Sequence, residues 1–379
     1  MAESNTFTGS ISSIRTTYQT LTSTDLFSKD VQFACFTKNP FMKVLGLEAF
    51  GVEAVTNVDS FISARPSGRL LRYDSGHYGI RGAVWETAGH SQHAGRLTAM
   101  NPELVEGGDE WAYSWHRLFT TQFIPDVDIQ DNGNGNFDIK ALKMSLMKQT
   151  FVRDINYCWL GNSSAPDAST LGPSAVYSDL PNLISVTQSR TVGGISKSGN
   201  TYWNNGTKSI TDPGGGGEMD RPIALRRGLM DAMNDQLTLS EASKDYLLLA
   251  TQGAWQYYDR IMYADAVQSG AGGAFGTLQK YDAAGIQHKA FEGQPLVWDP
   301  AVTVPYGASA STECIYGIHI PTFFISIRSE ENFKASDWEE PREHDPYKAL
   351  VASIKLRSTP MVTAMRPQWV VYDMVACPD

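Results

Sequence analysis

The sequence predicts an α+β protein built on one long helix and an α/β lobe, and three patterns carry that prediction. Between Asp138 and Leu160 the apolar residues Ile139, Leu142, Leu146, Phe151, Ile155 and Trp159 recur at roughly helical spacing. Across 180–312 strand and helix patterns alternate: Leu225, Leu229 and Met233 mark a helix, Tyr246–Thr251 a buried strand, and Trp255, Tyr258, Ile261 and Ala264 a second helix. The segments Ile315–Ile327, Leu350–Leu356 and Trp369–Val375 are β-branched and aromatic, the composition of strands.

In chain order, residues 1–45 read as an N-terminal arm, because the first forty are rich in Ser and Thr with only sparse hydrophobes such as Leu21, Leu26 and Phe27. After a short segment, 46–62, residues 63–112 are rich in Gly and Arg and poor in continuous apolar pattern, which predicts a long two-stranded excursion. Folded as a hairpin, it reaches on the order of 50–80 Å at about 3.3 Å per strand residue. The 138–160 helix has Asn136 or Asp138 as its cap and Gly161 as its stop, and measures about 30 Å at about 1.5 Å per residue. Beyond it Leu183 and Ile184 predict a short apolar strand, followed by a Gly193-Gly194 turn and the aromatic pair Tyr202-Trp203. A glycine run over 212–218 precedes Pro222, which suits a first helical turn. The C-terminal strands are expected to return to the sheet beside the long helix.

With 379 residues, 42% of them hydrophobic, the chain can bury a large core. The 31 basic and 41 acidic side chains leave a formal charge of −10, and the first forty residues carry three of each sign, so no basic arm is present to neutralise phosphates. The N-terminus has no basic segment leading into an apolar one, and the longest apolar run, Tyr246–Ala250, is far too short to span a bilayer. The expectation is a cytoplasmic product with no membrane partner. Cys35, Cys158, Cys314 and Cys377 are scattered without CxxC spacing and read as reduced, packed thiols.

Several apparent chemical motifs fail on context. Ser145-x-x-Lys148, Lys197-Ser198-Gly199 and Tyr202-Trp203-Asn204 imitate the elements of a serine acyl-transfer site, but Ser145 falls inside the helix and the other two stand in the wrong order and too close together. Gly270, Gly272 and Gly276 follow a helix instead of a strand, and Phe275 takes the place of the last glycine of a dinucleotide loop. The run Gly214–Gly217 lacks the lysine of a phosphate-binding loop. His90 and His93, with His77, have no Cys or carboxylate at ligand spacing, and the calcium-like stretch 128–136 has Ile139 where a bidentate Glu belongs. The charge cluster from Glu330 to Lys348 around Trp338 reads as solvated surface or as a contact between subunits. No catalytic residue, metal ligand or cofactor site is assigned.

The stretch LPNLISVTQSRTVGGISKSGNTYWNN, 180–205, carries a resemblance instead. With Leu183, Ile184, Gly193, Gly194, Ile195, Ser196, Ser198 and Trp203 in place, it resembles the major capsid proteins of tailed bacteriophages with the Hong Kong 97-type fold. Glu110, Trp111, Tyr113 and Trp115 resemble the family's acidic-aromatic strand, Asn132-Gly133 the turn before its spine helix, and Gly293–Asp299 the return from its axial domain. Lys197 departs from an Asp-Arg pair common after the Gly-Gly-Ile, and the 213–217 glycines are unfamiliar. The resemblance implies an N-terminal arm (1–45), a peripheral domain (46–62, 113–179 with the spine helix at 138–160, and 313–379), an extended loop (63–112) and an inserted axial domain (180–312).

It also implies self-assembly through pentamers and hexamers into an icosahedral virion shell, formed in the host cytoplasm around double-stranded DNA that is enclosed without sequence-specific binding. A separate scaffolding protein, a portal and decoration proteins are the implied partners. Arg69, Arg72, Arg81 and Arg96, with Trp85 and Glu86, are the expected contacts of the extended loop, since Arg and Trp favour interfaces and Arg forks carboxylates. An acidic wall suits DNA sliding past it, although mild acidity is also ordinary for soluble proteins. Two other classes stay open: a secreted carbohydrate-active enzyme, suggested by nine Trp and sixteen Tyr, and a β-rich binding module.

Overall fold

The computed structural model describes residues 41, 42, 45, 70–74, 79–85, 108–125, 139–161, 179–210, 220–240, 245–258, 280–281, 287–309, 312–339 and 349–374. The expected arm over 1–40, the 128–136 and 261–276 stretches, the 212–218 glycines and His77, His90 and His93 lie outside them. Strands β1 (Leu71–Asp74), β2 (Gly79–Trp85), β3 (Gly108–Ser114) and β4 (His116–Pro125) precede helix α1 (Ile139–Leu160). There follow α2 (Leu180–Leu183), β5 (Thr191–Val192), β6 (Ile195–Ser196), a 3-10 turn (Thr201–Trp203), β7 (Gly206–Ser209) and α3 (Asp220–Ser240). The remainder is β8 (Tyr246–Ala250), β9 (Lys280–Tyr281), β10 (Gln287–Phe291), β11 (Gln294–Trp298), β12 (Glu313–His319), β13 (Phe323–Arg328), β14 (Lys334–Ala335), β15 (Ala349–Val362) and β16 (Trp369–Met374).

The helical periodicity is realised in α1, where Ile139, Met147, Phe151, Val152, Ile155 and Trp159 are buried. Gly161 ends it in the left-handed region at φ 80°, its N–H closing on the Tyr157 carbonyl at 2.9 Å. The chain divides into two units. Among the described residues the first takes 119–125, 139–151, 333–339 and 349–356. There Phe151 meets Phe333 edge-on, ring centroids 6.2 Å apart. Lys334 stands opposite Lys355 and Ala335 opposite Ile354, while β4 also pairs with β15.

The second unit is organised by a seven-stranded sheet in the order β7-β16-β12-β8-β11-β10-β9. Its central strand β8 reads YLLLA with all five residues buried, because both faces are covered; a strand of that kind shows a continuous apolar run instead of alternation. On one face α3 presents Leu225, Leu229 and Met233 to Tyr246, Leu248, Ile315, Trp369 and Val371. The helix expected over 255–264 is seen at 252–258, with Ala254 and Tyr258 inward.

Three expectations are corrected. The strand at Leu183 and Ile184 is the one-turn helix α2: Asp179 caps it by accepting the Asn182 N–H at 3.0 Å, and Pro181 fits its first turn. Ile315–Ile327 is two strands. The C-terminal strands do not return to one sheet: β12 and β16 pair with β8 and β7 in the seven-stranded sheet, whereas β13 pairs with β15 and, in parallel, with β1. Both groups are buried on two faces, so apolar content alone does not tell one destination from the other.

The β12–β16 pairing depends on a missing side chain. Gly317 stands opposite Trp369, whose fully buried ring occupies the place a Cβ at 317 would take. Gly317→Ala is expected to lower unfolding free energy by about 2–3 kcal/mol or more, read from urea denaturation, because the ring is packed against Tyr246 at 5.9 Å and has nowhere to move.

Candidate assembly site

The region predicted to be a two-stranded excursion is built around β2 and β3, antiparallel from Gly79 opposite Ser114 to Trp85 opposite Gly108. Residues 71–74 leave that hairpin, since β1 pairs with β13. Alternation divides the hairpin into two faces. Ile80, Gly82, Val84, Asp109, Trp111 and Tyr113 share one, on which Trp111 and Tyr113 are buried; Arg81, Ala83, Glu110 and Ala112 share the other and are exposed. Gly82 leaves room for the Trp111 indole, which lies where a Cβ would stand.

The 190–205 segment holds the hairpin along its described length. Val192 and Ile195 pair across a two-residue turn in which Gly193 and Gly194 have φ of 59° and 86°, the primed geometry that matches strand twist and that glycine adopts without steric cost. The turn presents the Gly193 carbonyl to the Ala112 N–H at 2.8 Å. A Cβ at Gly193 would press on the Tyr113 ring at 3.0 Å. Tyr113 is buried beneath, its hydroxyl donating to the Val362 carbonyl at 3.1 Å, and burial pushes its ionisation far above the ordinary phenol range. Tyr202 donates to the Asp109 carboxylate. Trp203, wholly buried, pins the turn from below through its indole N–H to the Val192 carbonyl at 2.9 Å.

Two buried charged groups set this frame. Lys197 is fully buried and its ammonium donates to the Leu183 carbonyl at 3.1 Å, Ser185 Oγ at 3.1 Å and Asn205 Oδ1 at 2.6 Å, joining both ends of the motif. Burial pushes it down to about 7, and the Arg190 charge acts in the same direction. Arg190 itself lies over the Tyr306 ring at 3.9 Å. Asp299 accepts the Phe41 N–H at 2.9 Å, the Ala301 N–H at 2.9 Å and the Asn156 side-chain amide at 2.8 Å, tying α1 to the end of β11. Burial raises it to about 6 against those three hydrogen bonds.

Of the predicted contact residues, Arg81 lies on the exposed hairpin face, 3.5 Å from Glu110. Trp85 closes β2. Arg72 sits in β1 with its guanidinium 4.6 Å from the Phe324 ring centroid, a contact within the chain. Arg69, Glu86 and Arg96 lie outside the described residues. Tyr113 and Tyr202 entered the sequence reading only as members of the aromatic strand and the aromatic pair, and Asp109 was not singled out, because the Tyr202–Asp109 bond joins positions 93 residues apart. Ser145 lies within α1 and Lys197 is committed to three acceptors, so the acyl-transfer imitation gains no geometric support. Among the described residues no group of three or more His, Cys, Asp or Glu gathers as a metal site.

No protein-family model matches the chain, and no curated protein sequence does. Solved structures do match. The chain is similar to the capsid chain of cyanophage A-1(L), with 15% identity and a TM-score of 0.59 over 94% of this chain and 99% of that one. The capsid chain of the native GTA particle matches with 11% identity and a TM-score of 0.53, over 93% and 96%. That of bacteriophage PhiM1 in its mature capsid matches with 8% identity and 0.53, over 94% and 93%. The chain has a capsid-protein fold. The Leu183–Trp203 resemblance points to capsid proteins too, and at these identities the likeness speaks of fold alone.

Two measurements test the frame. Tyr113→Phe is expected to cost about 1 kcal/mol of stability through loss of the bond to Val362, and Gly193→Val several times that, because a branched side chain meets both a left-handed backbone and the Tyr113 ring. For Lys197, the unfolded chain titrates near 10.5 and the folded one near 7, so between those values the unfolded state binds more protons and stability rises with pH. The urea midpoint of the wild type is therefore expected to rise between pH 7 and about 9.5 relative to that of Lys197→Met; a relative fall contradicts the burial argument.

Proposed function

We propose that this chain is a major capsid protein, the repeating subunit of an icosahedral phage head around double-stranded DNA. The observation that carries the reading is the match to the cyanophage A-1(L) capsid chain over nearly the whole of both chains. A fold hosts many functions in general. Here the geometry adds a hairpin braced along one face by the Gly193 turn, Tyr113 and Tyr202, with an outward face of Arg81, Ala83, Glu110 and Ala112 available to a neighbour.

In this reading the subunit follows the Hong Kong 97-like plan, with arm 1–45, extended loop 63–112, spine helix α1 in the peripheral domain and axial domain 180–312. The axial sheet takes in β12 and β16, which complete it from the 313–379 segment. Repeated contacts between copies close pentamers and hexamers, each contact modest and the shell stable through their number. Arg69, Arg72, Arg81, Trp85, Glu86 and Arg96 remain the proposed loop contacts, with Arg72 also serving its own sheet through Phe324. A separate scaffolding protein and a portal complete the assembly, and the protein resides in the virion.

Excising residues 86–107 and closing β2 to β3 with an Asn-Gly turn tests the reading. The expected product is a folded subunit, with wild-type circular dichroism and melting, that sediments as monomers or small rings under conditions where the wild type forms megadalton particles. Normal particles from the excised chain refute the proposed role of the loop.

A further inference from the structure

The Asp299 carboxylate stands where three parts of the chain meet, and its two oxygens are unequally engaged. Oδ1 accepts the Ala301 N–H at 2.9 Å and the Asn156 side-chain amide at 2.8 Å; among the described residues Oδ2 accepts the Phe41 N–H alone, at 2.9 Å. Two of these donors have fixed places, since Ala301 lies two residues along the same corner and Asn156 lies inside α1. The third does not. Phe41 opens a single helical turn, closed by the Leu45 N–H on the Phe41 carbonyl at 3.0 Å, with the Phe41, Met42 and Leu45 side chains buried. One helical turn has no stability of its own, so this one depends on those side chains and on the bond its first N–H makes.

Asp299 is fully buried, and its interactions among the described residues are these three hydrogen bonds with no opposite charge. The neighbouring charged side chains on α1, Arg153 and Asp154, pair with each other at 3.1 Å; Trp298 and Val302 on its own segment are neutral, and Lys43 of the turn lies outside the described residues. Three neutral donors return only part of the desolvation cost, so the group takes a proton near pH 6, where an exposed aspartate stays charged.

That proton has a preferred place. On Oδ1 it would confront two N–H donors, on Oδ2 one. An acceptor for it is at hand, because Asn156, which gives its Nδ2–H to the carboxylate, keeps its own Oδ1 buried and without a hydrogen-bond partner among the described residues. A carboxylic acid and an amide close a ring of two hydrogen bonds, amide N–H to acid carbonyl and acid O–H to amide oxygen. Turning the new O–H toward Asn156 satisfies the orphaned acceptor. It also leaves the Phe41 N–H against a neutral hydroxyl in place of a charged oxygen, the weaker of the two partners.

We propose that Asp299 is a proton-operated latch on the 41–45 turn, holding the Phe41 N–H when charged and releasing it when neutral and paired with Asn156. The latch belongs to the single chain, whatever its state of assembly, and it governs how firmly the end of the proposed 1–45 arm is rooted. The folded group titrates near 6 and the unfolded one near 3.8, so between those values the folded state binds more protons, and the group's contribution to global stability is greatest below 3.8 and declines as pH rises through 6. Acid therefore loosens the turn without unfolding the sheet through this group.

Amide hydrogen exchange on the full-length chain, read by peptide mass spectrometry and corrected for the chemical exchange rate at each pH, tests the latch. Protection over 41–45 is expected to fall about tenfold or more between pH 7.5 and 5.0, half-way near pH 6, while β8 keeps its protection. Asp299→Asn is expected to abolish the transition, since an amide does not titrate. Asn156→Asp, nearly isosteric, sets a second carboxyl 2.8 Å from the first and is expected to move the transition up by about one pH unit or more, a shift that a merely structural contact would not produce. Equal protection over 41–45 at both pH values, a transition unmoved in either variant, or loss of protection over 41–45 only together with β8 overturns the latch, and each leaves the shell reading untouched.

Discussion

The left-handed turn at Gly193 and Gly194 is the constraint on which the placement of the β2–β3 hairpin depends. Two successive positive φ angles reverse the chain within two residues, and only that tight reversal brings the Gly193 carbonyl to the Ala112 N–H while leaving space for the Tyr113 ring. The hairpin is then gripped along its described length, near its base by a backbone hydrogen bond and by Tyr113 reaching Val362, and near its loop end by Tyr202 reaching Asp109. A two-stranded ribbon is marginally stable alone, so its placement depends on what packs along it.

Buried polar groups give the anchor its rigidity. Lys197 draws the end of α2, Ser185 and Asn205 onto one ammonium, and Asp299 draws Phe41, Asn156 and Ala301 onto one carboxylate. Among the described residues neither is held by an opposite charge; each is satisfied by neutral partners pointing at it from separate segments, and removing the charged group strands those partners in a dry interior. Such centres specify one arrangement of loops.

Much of this was readable from residue order. The long helix, its Gly161 stop, the apolar β8 run and the Gly-Gly turn each follow from local stereochemistry, and the 180–205 motif led to the fold through resemblance. The site was less legible. Arg81 lies on the outward hairpin face, whereas Arg72 is engaged by Phe324 of its own chain, because a parallel β1–β13 pairing joins segments some 250 positions apart and leaves no local signature. Leu183 and Ile184 misled for a related reason: an apolar pair fits a strand or a single helical turn, and the Asp179 cap with Pro181 decides for the helix.

Local chemistry in the chain settled which segments are helix, which are strand and where the backbone must turn left-handed, because periodicity, proline and glycine act within a few residues. Tertiary contact alone decided that β12 and β16 leave β13 and β15 for a different sheet, since all are apolar enough for either and only partners such as Gly317 and Trp369 distinguish them. It alone decided, too, that Phe119 and Phe123 face outward: alternation shows that they share a face, but which face meets solvent depends on where the rest of the protein lies.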